Sequence, residues 1–314
     1  MVFKLWPQNV RFNYFRAVKG VLDLAVPAIA AERGLTSEQV RQEMLKHLKC
    51  ISDEYRTQKK PENNFQDPLC RLGYLYCYVA ANANLCELAM TSSEDLTEFI
   101  CNKLRDEEEI KVCAFGGGPG TELLALAKFL VAKRKQFSQS TVTFTLLDEV
   151  EEWAETWSLI EREIKSFLRD KLGKTSSWPF IISKSFIPFD VTKTANYGSI
   201  KHLFDQDLFI LSYVVSEIFE DEQVGGLGKL LDAMATAAKP GSKFLIIDRS
   251  ENRVKEMATR LLRELKLDLS DVVESKRNMD SDEESSDLGE YLIKDHYPRL
   301  KWNSFWMVGT KRLG

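Results

Sequence analysis

Lys111-Val-Cys-Ala-Phe-Gly-Gly-Gly-Pro-Gly-Thr-Glu122, continued by Leu-Leu-Ala-Leu-Ala-Lys-Phe-Leu, is the stretch that decides how this chain is read. A short apolar run enters a glycine cluster, and a segment with apolar residues at helical spacing leaves it. A strand that turns through glycines into a helix lets a ligand lie directly on backbone. Glycine holds nothing off and accepts positive φ. The first N–H groups of the helix lack intrahelical partners and sit at the positive end of its dipole, so they favour a carboxylate or phosphate.

The glycines run Gly116-x-Gly118-x-Gly120. A dinucleotide fingerprint would place its third glycine where Thr121 stands, and a P-loop would follow Gly120 with Lys rather than Thr-Glu. The segments downstream of the loop narrow the choice. From residue 110 onward, strand-like and helix-like segments alternate, the pattern of a parallel α/β sheet. The expected strands are Lys111–Phe115, Thr141–Leu147, Phe180–Asp190, Asp207–Ser212 and Lys243–Ile247, with helices over Thr121–Lys135 and Glu151–Leu172. The second strand ends at Asp148, where a carboxylate can accept from both hydroxyls of a ribose or instead cap the next helix. Glu149 is its possible substitute.

In this context Ala-Phe-Gly-Gly-Gly-Pro-Gly (114–120) resembles motif I of the class I S-adenosylmethionine (SAM) dependent methyltransferases. Leu-Leu-Asp148 is similar to their motif II, Phe-Asp190 to the adenine-binding motif, and 207–213 and 239–248 to the fourth- and fifth-strand regions. The resemblance implies a Rossmann-like sheet with helices on both faces and SAM as cofactor. It implies that Gly116, Gly117, Gly118 and Gly120, with Phe115, hold the methionine part. Asp148 or Glu149 would take the ribose and Asp190 the adenine N6, with Phe189 and Val191 flanking the ring; Ser212 would lie at the cofactor's edge. Many family members carry an acid two residues before the first glycine to hold the SAM amino group. Ala114 stands there here, and Glu122 is the acid that would replace it. The Gly-Gly-Gly-Pro-Gly form is further similar to fungal-type large-subunit ribosomal RNA uridine methyltransferases.

Residues 1–108 read as all helix and are expected to be an extension or lid on a SAM-binding domain over 109–314. Helical spacing covers Val10–Ala31, with Pro27 inside it. Thr36-Ser-Glu-Gln39 is a capping box for a helix over Val40–Tyr55, and Thr91-Ser-Ser-Glu94 is read as the start of another. After the polar loop 59–68 comes Leu69–Leu85, too aromatic for a surface helix. Either Tyr74, Tyr76 and Tyr78 pack it against the following domain, or a hydroxyl or Asn82/Asn84 faces a ligand pocket.

Of 314 residues, 44% are apolar and 29% charged, ordinary for a globular chain. No apolar run approaches the ~18–20 residues a bilayer span needs, and the N-terminus has no signal-peptide character, so an intracellular protein, cytoplasmic or nuclear, is expected. The six cysteines form no C-x-x-C pair and the three histidines are scattered, so no metal site is expected. Residues 280–290 hold six acids and no base; without them the net charge of −4 becomes +2. This acidic insert is expected to be disordered, and a nearly neutral body neither requires nor forbids nucleic acid.

On the acceptor side, Ser212-Tyr-Val-Val-Ser-Glu217 follows the fourth strand, making Ser212, Tyr213, Ser216 and Glu217 candidates. Glu217 reads equally as a charge favoured at a helix start. No Asn/Asp-Pro-Pro-aromatic or Pro-Cys sequence is present, which argues against common amino-methylation of bases and against a covalent cysteine mechanism. Tyr291-Leu-Ile and Ser304–Thr310 are expected as closing antiparallel strands, with His296–Trp302 near the site's rim. A methyltransferase is expected, with RNA somewhat favoured as acceptor over protein or small molecules. A methyltransferase-like binding or assembly module stays open because of Ala114. A nicotinamide oxidoreductase is the more distant third.

Overall fold

Five parallel strands carry the site: β1 (Glu109–Phe115), β2 (Ser140–Asp148), β3 (Phe180–Pro188), β4 (Leu208–Ser212) and β5 (Lys243–Arg249). They belong to a computed structural model that describes residues 12–57, 64–136, 140–172, 180–218, 221–279, 285–293 and 296–312. With β6 (Asp268–Leu269) and β8 (Lys301–Thr310) the order is β3-β2-β1-β4-β5-β8-β6, and β7 (Val273–Asn278) also pairs β8. β8 runs antiparallel to β5, with Ile246 opposite Met307. The chain leaves β1 in one direction for β2 and β3 and returns on its other side to β4 and β5. Ligands in such sheets bind beyond the carboxyl ends of the strands at that reversal.

β1 is buried almost throughout, as a central parallel strand covered on both faces must be. After the single-turn α8 (Val214–Glu217), one face is covered by α9 (Asp221–Ala237) and α10 (Asn252–Glu264), whose Leu230 and Leu262 share a core with Phe115, Phe209 and Phe305. The other carries α6 (Thr121–Lys133) and α7 (Trp153–Leu172). The N-terminal helices are α1 (Tyr14–Arg33), which packs on α7, α2 (Ser37–Thr57) and α3 (Pro68–Tyr74), which pack on each other, α4 (Ala80–Ser92), which packs on α6, and α5 (Glu94–Asp106), which meets β1 and β2. One continuous core runs from Phe15 and Met44 through Leu124 and Phe129 to Val142.

The capping box forms as read: the Gln39 N–H donates to Thr36 Oγ1 and the Thr36 N–H to Gln39 Oε1. α1 continues through Pro27. Residues 68–92 form one rod in which a π-turn, Leu75–Val79, joins α3 to α4. Tyr76 is fully buried.

Three expectations need correction. Thr91 and Ser92 close α4; the helix start belongs to Ser93, whose hydroxyl accepts the Leu96 N–H. Tyr291-Leu-Ile is not a strand. Tyr291 ends a 3-10 helix, Ser285–Tyr291, and it is β7, a polar stretch of which only Ser275 is buried, that pairs β8. Nor is the acidic insert disordered over 285–290: Leu288 is buried and Asp287 holds Asn13 and Arg16. Residues 280–284 lie outside the described residues, as does Val10. Among the described residues no helix is long and apolar enough to cross a membrane, and no His/Cys/Asp/Glu group could hold a metal ion.

Candidate functional site

The glycine loop folds back on itself, with the Gly120 N–H donating to the Gly117 carbonyl and the Gly116 N–H to that of Leu147. Gly116, Gly118 and Gly120 all have positive φ. Their reasons differ. A Cβ on Gly120 would lie 2.3 Å from Trp157 Cδ1, so packing alone demands glycine there. A Cβ on Gly118 would meet nothing nearer than the Trp153 ring at 3.5 Å, because it would project into a cavity.

That cavity, about 530 Å³, is lined by Gly116 and Gly118, by Asp148 and Glu149 after β2, and by Phe189, Asp190 and Val191 after β3. Phe65, Tyr74, Trp153 and Glu217 are also on its wall. Eight predicted residues therefore converge: Gly116, Gly118, Asp148, Glu149, Phe189, Asp190, Val191 and Glu217. Phe115 does not. Its ring is fully buried on the α9 side of the sheet, 6.5 Å from that of Phe209. Gly117, Gly120, Glu122 and Ser212 do not line the cavity either.

Asp148 is committed to backbone: Oδ2 accepts the Gly118 N–H and Oδ1 the Val150 N–H, both at 2.9 Å. Burial pushes its pKa up to about 6, and these two bonds oppose the shift. It thus clamps the loop to β2, while the exposed Glu149 beside it presents a second carboxylate to the cavity. Asp190 is held by the Thr192 hydroxyl and N–H and by Lys193 Nζ. Burial raises its pKa, but those donors outweigh burial and the net shift is downward.

If the cavity holds SAM, as the sequence resemblance implies, removing either carboxylate of the Asp148–Glu149 pair should weaken it, by different routes. Glu149→Ala is expected to lower affinity roughly tenfold to hundredfold at unchanged melting temperature, the loss of charge-assisted bonds. Asp148→Ala should lower affinity and melting temperature together, because the Gly118 N–H loses its acceptor. Calorimetry paired with thermal melts separates them; unchanged affinity in Glu149→Ala would remove it from the site.

Glu122, in the first turn of α6, is 3% exposed. Its pKa is pushed up to about 7, chiefly by burial, with a bond from Ser212 opposing and the Asp148 charge adding to the rise. Its Oε2 has no hydrogen-bond partner. The ordinary value is 4.5, so between about pH 4.5 and pH 7 the folded state holds a proton that the unfolded chain has released. Its stabilising share is present below that window and lost as pH rises through it. Glu122→Gln, neutral throughout, should therefore gain on the wild type as pH rises, by about 3 kcal/mol above pH 7. Urea unfolding at the two ends of the window checks this; equal pH profiles would show that the carboxyl titrates normally.

A second cavity of about 410 Å³ shares Tyr74 and Glu217 with the first. Tyr78 and Asn82 from the helical rod, Tyr213 after β4, Arg249 at the end of β5, and Arg299 and Asn303 before and within β8 also line it. Tyr74 and Tyr78 stand 5.1 Å apart, and Phe65, Tyr74 and Trp153 continue the aromatic wall into the first cavity. Tyr213 adopts φ 59°, a left-handed conformation costing about 1–2 kcal/mol for a side-chain-bearing residue. Its hydroxyl meets Ser304 Oγ at 3.1 Å. The buried Asp248 carboxylate accepts the Ser216 N–H and so fixes the turn that carries Tyr213 and Glu217. Ser216 itself is buried there. Both aspects of the tyrosine helix are realised: Tyr76 packs, while Tyr74, Tyr78 and Asn82 face cavities.

Sequence reasoning missed Phe65 and Trp153. Phe65 is a lone aromatic in a polar loop, pinned by Arg71, which donates to the carbonyls of Phe65 and Gln66.

The strand order, the glycine turn after β1 and the acid closing β2 define a class I, Rossmann-like methyltransferase fold. Residues 29–258 match the model of a family described as "Putative SAM-dependent methyltransferase". The chain belongs to that family: it is a SAM-dependent methyltransferase, and SAM is its cofactor. No curated protein sequence matches it. Among solved structures it is similar to an O-methyltransferase family protein from Burkholderia thailandensis, at 13% identity and TM-score 0.47 over 96% of this chain and 93% of that one. It is also similar to the N-methyltransferase NodS from Bradyrhizobium japonicum WM9 in complex with S-adenosyl-L-homocysteine, at 10% identity and TM-score 0.38 over 83% and 98%. A third similar structure is a precorrin-6y C5,15-methyltransferase from Geobacter metallireducens GS-15, at 11% identity and TM-score 0.37 over 70% and 86%.

Proposed function

We propose that the chain methylates a base in RNA, with SAM in the first cavity and the target base in the second. Gly116 and Gly118 would carry the methionine part on bare backbone, Glu149 the ribose, and Phe189, Asp190 and Val191 the adenine. The fit rests on Gly118, which lines the first cavity and where a Cβ would meet only the Trp153 ring, at 3.5 Å. SAM supplies an electrophilic methyl group; the protein's part is to hold the acceptor in line with it and to keep water out. Ala114 leaves the amino-group contact without the usual acid. Glu122 lies beneath the loop and serves its packing.

The observation that carries the reading is the second cavity. It joins the first at Tyr74 and Glu217 and offers what a splayed-out base needs: two aromatic faces and a side-chain amide. The amide oxygen of Asn82 is buried without a partner. An amide can pair with the donor and acceptor edge of a base. An N–H acceptor must give up a proton when its nitrogen is methylated, and Glu217, on the wall common to both cavities, is the carboxylate placed to accept it. The loop's similarity to ribosomal RNA uridine methyltransferases supports the same class of acceptor.

Incubation with methyl-tritiated SAM and fractionated cell extract tests the reading. Label should enter RNA and be released by ribonuclease, and Glu217→Gln should lower its rate with SAM affinity retained. Label that enters protein or small molecules and survives ribonuclease would overturn it.

A further inference from the structure

We propose that Arg249 and Arg299 form a phosphate subsite in the second cavity, so that the acceptor is a phosphorylated nucleotide rather than a free base or nucleoside. The inference rests on the nucleobase reading and adds to it the group that anchors the target.

The two guanidinium groups come from separate parts of the fold. Arg249 ends β5, opposite Ser304 of β8. Arg299 lies on the segment entering β8 and is held by the helical rod: its N–H donates to the Cys77 carbonyl at 2.9 Å. Cys77 is in the π-turn, and a π-turn breaks the regular i→i−4 ladder at the helix face where it occurs. Tyr76 in the same turn docks the segment twice more, donating to the His296 carbonyl at 2.7 Å and accepting the Ile293 N–H at 3.3 Å. The irregular turn thus has a consequence at the cavity: it fixes the backbone that carries Arg299 beside Tyr78 and Asn82.

Arg299 Nε donates to the Lys301 carbonyl, and no ion pair holds Arg299 among the described residues. Both arginine charges reach Tyr213: burial raises its pKa and the two guanidiniums oppose that rise. The acids of this cavity are Glu217, on the wall shared with the cofactor cavity, and Glu251. A planar guanidinium matches phosphate oxygens bidentately, which a lysine could not do. Base, edge and phosphate would then each meet a suited group, namely tyrosine ring, Asn82 amide and arginine pair.

The test uses the full chain, tritiated SAM, and three acceptor preparations from one pool: total cellular RNA, its digest to nucleoside monophosphates, and the same digest dephosphorylated to nucleosides. Label is expected in RNA and not in nucleosides. Label in the monophosphates as well would assign the subsite to any nucleotide phosphate, and its absence there would assign it to phosphodiester RNA. Arg249→Gln and Arg299→Gln should each raise KM for RNA roughly tenfold with kcat less affected, whereas Arg312→Gln, away from the cavity, should not. Arg299→Lys should restore part of the loss. S-adenosylhomocysteine affinity, measured in parallel, should stay at the wild-type value and shows that each variant is folded. Equal labelling of RNA and nucleosides, or wild-type KM in both Gln variants, overturns the phosphate subsite and leaves the RNA reading standing. No label in RNA from the wild type overturns both.

Discussion

Gly118→Arg is expected to lose SAM by at least about a hundredfold, ~2.7 kcal/mol, while the protein still unfolds cooperatively. The two halves of that result have separate causes. At φ 45° a side-chain-bearing residue costs about 1–2 kcal/mol, which a protein of this size survives. The new Cβ would touch only the Trp153 ring, at 3.5 Å, and everything beyond it would occupy the cavity wall. Gly118→Asn separates the effects, since Asn tolerates the left-handed region with a shorter side chain. It should keep stability and lose less affinity. Gly120→Ala is the contrasting case: its Cβ would strike the buried Trp157 at 2.3 Å, so fold and cofactor fail together. Unchanged SAM affinity in Gly118→Arg, measured by calorimetry, would place the cofactor elsewhere.

That contrast shows what a sequence can and cannot report. Three alternate glycines after an apolar strand were enough to place the loop, since a backbone turning into a helix so tightly has few other compositions. They could not say which glycine faces the cavity and which faces the buried Trp157. The same limit holds at Asp148. Its place at the end of a β-branched strand was legible from periodicity. That both oxygens are committed to backbone N–H groups depends on the loop's folded path. Glu149, treated as a substitute, is the carboxylate with access to the cavity.

The central strands were legible because they are buried on both faces and read as apolar runs. β7 was not: Val273-Glu-Ser-Lys-Arg-Asn is mostly exposed and owes its extension to pairing with β8. Composition likewise misjudged 285–290, where one buried leucine and one aspartate docked on Asn13 and Arg16 outweigh the surrounding charge. The π-turn has no local signature, because its hydrogen bonds are completed by a segment more than two hundred residues later.

Deleting residues 1–108 is expected to abolish folding, not merely the acceptor cavity. The reason lies in α6. Ten of its thirteen residues are buried, Leu123, Leu126, Phe129 and Leu130 among them. A helix on an open α/β sheet needs an apolar stripe toward the strands and a polar face toward water; one buried nearly all round must be covered from outside. Here α4 supplies that cover, with α1 over α7. Even Lys128 has its cover there: it pairs with Glu87 at 3.3 Å and lies 4.2 Å from the centre of the Tyr14 ring. Stripping the five helices would return to water several large side chains, each worth about 1.5–3 kcal/mol of burial, against a total stability of about 5–15 kcal/mol for a typical protein. The shortened chain 109–314 should therefore be recovered as aggregate, or as a soluble species without a cooperative urea transition. Joining it in solution with separately expressed 1–108 should recover S-adenosylhomocysteine binding only if the two associate. If 109–314 alone unfolded cooperatively and bound S-adenosylhomocysteine like the full chain, the helices would be an independent unit and α6 would tolerate its exposed outer face.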